Sequence, residues 1–138
     1  VATVRRRELP DLVPVYTTVT ELGHDIRQTI AQCRHRCQKV AIWGAGGKGL
    51  SVLAEAGIHD IDLLVDSDPN KHGLLTPVSR LLVSPPEALR GAGVNTIIIT
   101  AMAYRHEIEQ ILREDFGYTG AVLVLGHRLE PSSTWDAP

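Results

Sequence analysis

The sequence lacks the features of a membrane-spanning or secreted protein. Its longest apolar runs fall well short of the ~20 residues that a spanning helix needs. Arg5, Arg6 and Arg7 are not followed by the apolar stretch of a secretory signal. The 14 basic and 16 acidic residues leave a net charge of −2, which offers no basic surface to nucleic acid or to an anionic membrane. We therefore expect neither of these partners.

Cysteine is also scarce. The two cysteines, Cys33 and Cys37, lie in one predicted helix, which is typical of a reducing, cytoplasmic setting. Structural zinc takes four ligands, usually from two pairs, and the sequence has no second pair. We predict core cysteines and no metal site. No Ser-His-Asp set, paired-carboxylate motif or nucleophile elbow is present, so no catalytic residue is predicted and the isolated chain is expected to have no turnover.

The most informative stretch is residues 39–49, KVAIWGAGGKG. An apolar run enters a turn in which Gly44, Gly46 and Gly49 have the G-x-G-x-x-G spacing, and a helical pattern follows. A second apolar run then ends at Asp66. This order of strand, glycine turn, helix, strand and acid matches the dinucleotide-binding fingerprint.

Each residue type in the glycine loop, residues 44–49, has a physical reason. Gly44 permits the tight reversal, Gly46 lets the backbone approach a pyrophosphate, and Gly49 allows the helix to pack closely on the strand. Free N–H groups at the helix start attract a phosphate. Asp66 is placed to accept hydrogen bonds from a ribose hydroxyl. The alternative, that the glycines only close a tight β–α corner, stays open.

Charged and polar residues near the loop extend the predicted site. Lys48 and Lys71 could each pair with a phosphate, and Thr100 ends a strand at the predicted cleft. Two acids in the Asp66 turn, residues 66–73, disfavour a 2′-phosphate and hence NADP. Nearby Tyr104 and His106 fit an ordinary helix start. The predicted ligand-binding residues are Gly44, Ala45, Gly46, Gly47, Lys48, Gly49, Asp66, Asp68, Lys71 and Thr100.

The periodicity predicts an α/β fold. A Thr-x-x-Glu capping box at Thr18 opens an amphipathic helix over 18–38. The remaining helices are predicted at 47–56, 85–90 and 104–116, and the strands at 39–43, 61–65, near 81–83, 95–100 and 121–125. Continuous apolar strands are typical of a parallel sheet that is buried on both faces. We predict a Rossmann-like, doubly wound, mainly parallel five-stranded sheet with the amphipathic helix at its N-terminus.

The length of 138 residues indicates one domain. We predict an extended linker at 1–17, a Rossmann-like nucleotide-binding domain at 18–130 and a tail at 131–138. The chain starts at Val1 and ends in PSSTWDAP, so we expect a domain cut from a longer protein, and an independently encoded protein with a trimmed start is the alternative. The expected partners are a small nucleotide ligand and the other domains of that parent enzyme, and a homo-oligomer stays open.

Residues 39 to about 126 resemble the C-terminal, Rossmann-like domain of the deoxysugar C-methyltransferases. The resemblance rests on VAIWGAGGKG, LLVDSDPNKHG, VSPPEAL and the helix that contains HEI. It implies a domain that helps to hold a nucleotide sugar, whereas the methyl donor and the chemistry belong to a separate central domain. The glycine loop and the Asp-x-Asp-Pro turn are also similar to the N-terminal domain of nucleotide-sugar acyltransferases.

Three functions remain open at this point. The first is a nucleotide-sugar-binding module of a larger biosynthetic enzyme. The second is an NAD-binding oxidoreductase or redox-sensor domain, so NAD and a nucleotide sugar are the two candidate ligands. The third is a ligand-free Rossmann-like scaffold, because residues 74–77 and 101–104 depart from the methyltransferase pattern.

Overall fold

The computed structural model describes residues 2–136, with side chains from Val19 onward. Within these residues, three α-helices, α1 (Ala2–His35), α2 (Gly47–Ala56) and α3 (Arg105–Glu114), accompany a six-stranded sheet. The strands are β1 (Lys39–Trp43), β2 (Leu63–Val65), β3 (Val83–Ser84), β4 (Val94–Ile99), β5 (Ala121–Leu125) and β6 (Leu129–Pro131). Short 3₁₀ helices cover Pro69–Lys71, Pro86–Leu89 and Met102–Tyr104.

The sheet has the strand order β3-β2-β1-β4-β5-β6. All neighbouring strands are parallel except β5 and β6, which are antiparallel. This confirms the predicted α/β class and the mainly parallel sheet, but the strand count was one too low. The missed strand, β6, is three residues long and ends in Pro131, so it carries no apolar pattern. Its pairing with β5 depends on a chain reversal that periodicity does not report.

Alternate residues along each central strand enter two separate cores. Val40 and Ile42 of β1 face α1 and α2, and Ala41 and Trp43 face α3. The first core is completed by the apolar stripe of α1, with Leu22, Ile26, Ile30 and Cys33 buried. The amphipathic helix therefore covers one face of the sheet, as predicted.

The N-terminal helix is longer than its sequence pattern indicated. It begins at Ala2 rather than at Thr18, so residues 2–17, predicted as an extended linker, are helical. Pro10 and Pro14 disfavour a helix interior, whereas the Arg-Arg-Arg-Glu-Leu run before them has good helix propensity. The division into linker, domain and tail stays a prediction.

The ends of several elements also differ from the predictions. Helix α1 ends at His35 rather than near Gln38, and Cys37 follows with a positive φ of 56°. The expected helix at 85–90 is a single 3₁₀ segment.

Residues 132–135 pack against the sheet and α3. Ser132 and Thr134 donate hydrogen bonds to the buried carboxylate of Glu109, and the side chain of Trp135 is 8% exposed. Across residues 2–136, no helix is long and apolar enough to cross a membrane.

Candidate functional site

A cavity of about 520 Å³ lies beyond the carboxyl ends of β1, β2 and β4. Strands β1 and β4 are adjacent and the chain winds outward from them in opposite directions, so this is the topological switch point of the sheet. The cavity joins the glycine loop, the Asp66 turn and the first turns of α3. Its lining residues are Trp43, Gly44, Gly46, Gly47, Asp66, Ser67, Asp68, Lys71, Thr100, Ala101, Tyr104, Glu107, Ile108 and Ile111.

Two glycines of the loop are required by packing. Gly44 has a φ of +127°, and a Cβ there would collide with the hydroxyl of Thr100. A Cβ on Gly49 would lie 2.8 Å from Thr100 Oγ1 and 2.9 Å from its Cβ. Thr100 is itself buried and donates a 2.8 Å hydrogen bond to the carbonyl of Gly44. Thr100 therefore supports the loop from below as well as lining the cavity.

Two other glycines leave the loop open to the cavity. A Cβ on Gly46 or on Gly47 would meet nothing within 4 Å. Helix α2 begins after Gly46, which has no side-chain cap. The first N–H groups of a helix have no partner within it, so this uncapped end presents free donors beside the cavity.

Asp66 reaches the rim of the cavity, but both of its carboxylate oxygens accept backbone hydrogen bonds. Oδ2 accepts from the N–H of Ala45 at 2.7 Å, and Oδ1 accepts from the N–H of Asp68 at 2.8 Å. The Lys71 ammonium lies 3.7 Å from Oδ2. Asp68 in turn accepts from the N–H of Asn70 at 3.0 Å and caps the 3₁₀ segment that carries Lys71. Asp66, the predicted ribose acceptor, thus links the glycine loop to its own turn through hydrogen bonds within the protein.

Three of the predicted site residues do not line the cavity. Lys48 donates to the carbonyls of Gly126 at 2.8 Å and Leu125 at 3.4 Å, so its ammonium points to the end of β5. The side chain of Ala45 is buried, and Gly49 packs on Thr100. Lys71 is the only basic residue among the described residues that line the cavity.

The apolar wall of the cavity was missed from the sequence. Trp43 ends β1, and its indole N–H donates to Ser67 Oγ at 3.3 Å. Ile108 and Ile111 of α3 line the same wall, with Glu107 at the start of the helix. The sequence did contain a signal for this wall. Ile108 and Ile111 are three residues apart on the helix that follows β4, a spacing that places two side chains on the same helix face.

The cysteines do not form a site. Cys33 is buried, with its Sγ 3.6 Å from Thr96 Oγ1, whereas Cys37 is exposed. The prediction of two core cysteines was therefore wrong for Cys37, because α1 ends two residues before it and the apolar stripe stops there. Within the described residues, no group of three or more His, Cys, Asp or Glu side chains could hold a metal ion.

Comparison with known families gives one match that spans most of the chain. The family described as C-methyltransferase C-terminal domain matches residues 13–125. No curated protein matches the sequence. The matched segment includes the glycine loop, the Asp66 turn, Thr100 and α3, and so it contains every residue that lines the cavity.

Proposed function

Because the chain belongs to the family of C-methyltransferase C-terminal domains, we propose that it is the nucleotide-sugar-binding part of a sugar C-methyltransferase-like enzyme. The observation that carries this proposal is the cavity at the switch point of the sheet. It combines an uncapped helix start, one ammonium group and an apolar wall within about 520 Å³. Small-molecule sites commonly have volumes of roughly 300–1,000 Å³ and this mixture of walls.

The phosphate end of the ligand belongs at the glycine loop. The free donors at the start of α2 and the open space above Gly46 and Gly47 suit an anion that approaches the backbone closely. Lys71, whose side chain is 38% exposed, supplies a cation at the rim of the cavity, 3.7 Å from Asp66 Oδ2. We assign no phosphate contact to Lys48, because its ammonium donates hydrogen bonds to the carbonyls of Gly126 and Leu125.

The uncharged parts of the ligand belong along the α3 side. Ile108, Ile111 and the exposed Tyr104 offer surfaces to a base or a sugar ring. Glu107 and Asp68 are acceptors for hydroxyl groups. The acids at the cavity outnumber Lys71, so a ligand with an additional phosphate, such as NADP, is disfavoured.

The proposed role is to hold a substrate on which another domain acts. A glycine loop and carboxylates can bind a nucleotide sugar, but general acid–base chemistry needs a group positioned at the reacting atom. The proposed partners are accordingly the other domains of the parent enzyme, which supply the methyl donor. We also propose a cytoplasmic location, since Cys33 and Cys37 are both free.

Calorimetric titration of UDP, dTDP-sugars, NAD and NADP tests the proposal. We expect a UDP- or dTDP-linked ligand to bind the wild-type chain and to lose at least tenfold in affinity to Gly46→Val, because the side chain fills the space above the loop. Gly46 has a φ of −107°, which any residue adopts, so the variant is expected to fold. Gly126→Val is the matched control, since a Cβ there makes only ordinary contacts outside the cavity.

The other outcomes separate the remaining candidates. Binding of NAD in preference to the nucleotide sugars would favour a redox domain. Equal binding to wild type and Gly46→Val would remove the glycine loop from the site. No binding of any of these ligands would favour a scaffold without a ligand.

A further inference from the structure

Asp66 is surrounded by hydrogen bonds that join three parts of the chain. Its carboxylate accepts from Ala45 in the glycine loop and from Asp68 in its own turn, at 2.7 and 2.8 Å. Its backbone N–H donates to the carbonyl of Ser84 on β3 at 3.1 Å. Its carbonyl accepts from Nε2 of His72 at 2.6 Å. Every polar atom of Asp66 thus has a partner within the protein.

The geometry of the carboxylate does not suit the ribose role that the fingerprint predicts. A ribose acceptor offers its oxygens to two neighbouring hydroxyls, whereas each oxygen of Asp66 is directed to a backbone N–H. The side chain is only 14% exposed, and the Lys71 ammonium lies beside Oδ2. The two backbone N–H groups and the neighbouring ammonium therefore leave this carboxylate fewer acceptor sites for a ligand than a free carboxylate offers.

The bond to Ala45 acts directly on the glycine loop. The N–H of Ala45 is drawn to the carboxylate, while the next residues, Gly46 and Gly47, line the cavity. Charge-assisted bonds of this kind are shorter and stronger than those between neutral groups. The same carboxylate lies 3.7 Å from Lys71 and attracts that cation to the rim.

We propose that Asp66 is a positioning residue that holds the glycine loop and Lys71 in the arrangement that receives a phosphate group, and that it does not bind the ribose. This inference rests on the proposed function, since it assigns a role within the same site. It predicts that loss of the carboxylate weakens the binding of a nucleotide whether or not the ribose hydroxyls are present.

The experiment compares UDP with its dideoxy analogue, which lacks both ribose hydroxyls, in wild type and Asp66→Asn. The asparagine keeps the shape of the side chain but lacks the charge and presents an NH₂ group to one of the two backbone donors. We expect Asp66→Asn to lose about tenfold in affinity, and by the same factor for both ligands. Asp60→Asn is the matched control, because Asp60 is an exposed acid that does not line the cavity.

Amide hydrogen exchange without ligand provides a second measurement. The N–H groups of Ala45 and Asp68 should be protected in wild type and exchange faster in Asp66→Asn, with the amides of β1 and β4 unchanged. This readout tests the positioning of the loop even if no nucleotide binds, so failure of the proposed function is distinguishable from failure of this inference. Unchanged exchange at Ala45 would overturn the proposal.

The ligand comparison can also overturn it. If wild type prefers UDP to the dideoxy analogue and Asp66→Asn loses that preference, then Asp66 binds the ribose. An unchanged affinity of Asp66→Asn for both ligands would show that the carboxylate does not shape the site.

Discussion

At the scale of single residues, the glycine loop contains two kinds of glycine. Gly44 and Gly49 are required because Thr100 occupies the space where their side chains would lie. Gly46 and Gly47 are bordered by the cavity instead. The first pair maintains the contact between loop and sheet, and the second pair keeps the backbone accessible. One motif therefore packs against the sheet and also borders the cavity.

This distinction predicts different effects of the same substitution on stability at Gly49 and at Gly47. Gly49→Ala should lower the free energy of unfolding by about 1–2 kcal/mol, because the cost of overpacking against Thr100 exceeds the gain in helix propensity. Gly47→Ala should leave it unchanged or raise it by up to about 1 kcal/mol, because the new methyl group meets no atom. Urea denaturation of the two variants measures both effects. Equal stabilities would mean that Thr100 moves away without cost.

At the scale of elements, α1 is attached to the far edge of the sheet by one carboxylate. Asp25 accepts two hydrogen bonds from Arg128, at 2.8 and 2.7 Å, and a third from the N–H of Leu129 at 3.1 Å. The turn between β5 and β6 is thereby tied to the helix. The Arg128 hydrogen bond holds the pKa of Asp25 below its ordinary value of 3.8, although burial opposes this shift.

The lowered pKa of Asp25 predicts a pH-dependent contribution to stability. A carboxyl with a lower pKa in the folded state stabilises the fold above its unfolded pKa of about 4, and the contribution disappears as the pH falls through the folded pKa. Asp25→Asn should therefore be less stable than wild type at pH 7, and the difference should shrink below about pH 4.

Chemical denaturation of both proteins across this range measures the effect. Asp60→Asn, which changes an exposed acid, is the control for the general loss of negative charge. A difference between wild type and Asp25→Asn that stays constant down to low pH would contradict the assignment.

At the scale of the whole molecule, the fold is a sheet between two apolar cores of different composition. Helices α1 and α2 cover the first core, and α3 with the segment that ends in Trp135 covers the second. The cavity lies where the glycine loop of one layer meets the first turns of α3 in the other. A ligand in this cavity would contact elements on both faces of the sheet, so we expect its binding to stabilise the whole unit.

Binding of UDP should therefore stabilise the entire domain. At a free concentration of one hundred times the dissociation constant, the free energy of unfolding rises by about 2.7 kcal/mol. For a domain of this size that corresponds to an increase in Tm of roughly 5–10 °C. Differential scanning calorimetry with and without UDP measures the shift, which Gly46→Val should abolish and Gly126→Val should retain. A Tm that responds neither to saturating UDP nor to a saturating dTDP-sugar would contradict the proposed site.

The sequence by itself determined the local features that depend on neighbouring residues. The apolar run at 39–43 and the glycine spacing predicted β1 and α2 at their observed bounds, because strand and helix periodicities and glycine turns are properties of short segments. The continuous apolar strands correctly indicated a parallel sheet covered on both faces. The match of the family to residues 13–125 confirms the resemblance that these segments suggested.

Only the tertiary structure decided what each polar side chain contacts. In the sequence, both Lys48 and Lys71 are candidate phosphate ligands. In the structure, the ammonium of Lys48 donates its hydrogen bonds to the carbonyls at the end of β5. Asp66 has the position of a ribose acceptor, yet its Oδ2 accepts a hydrogen bond from the N–H of Ala45, 21 residues earlier. Strand β6 likewise forms only where β5 presents its free edge. Such contacts join residues far apart in the chain, and the physical pattern of a short segment contains no information about them.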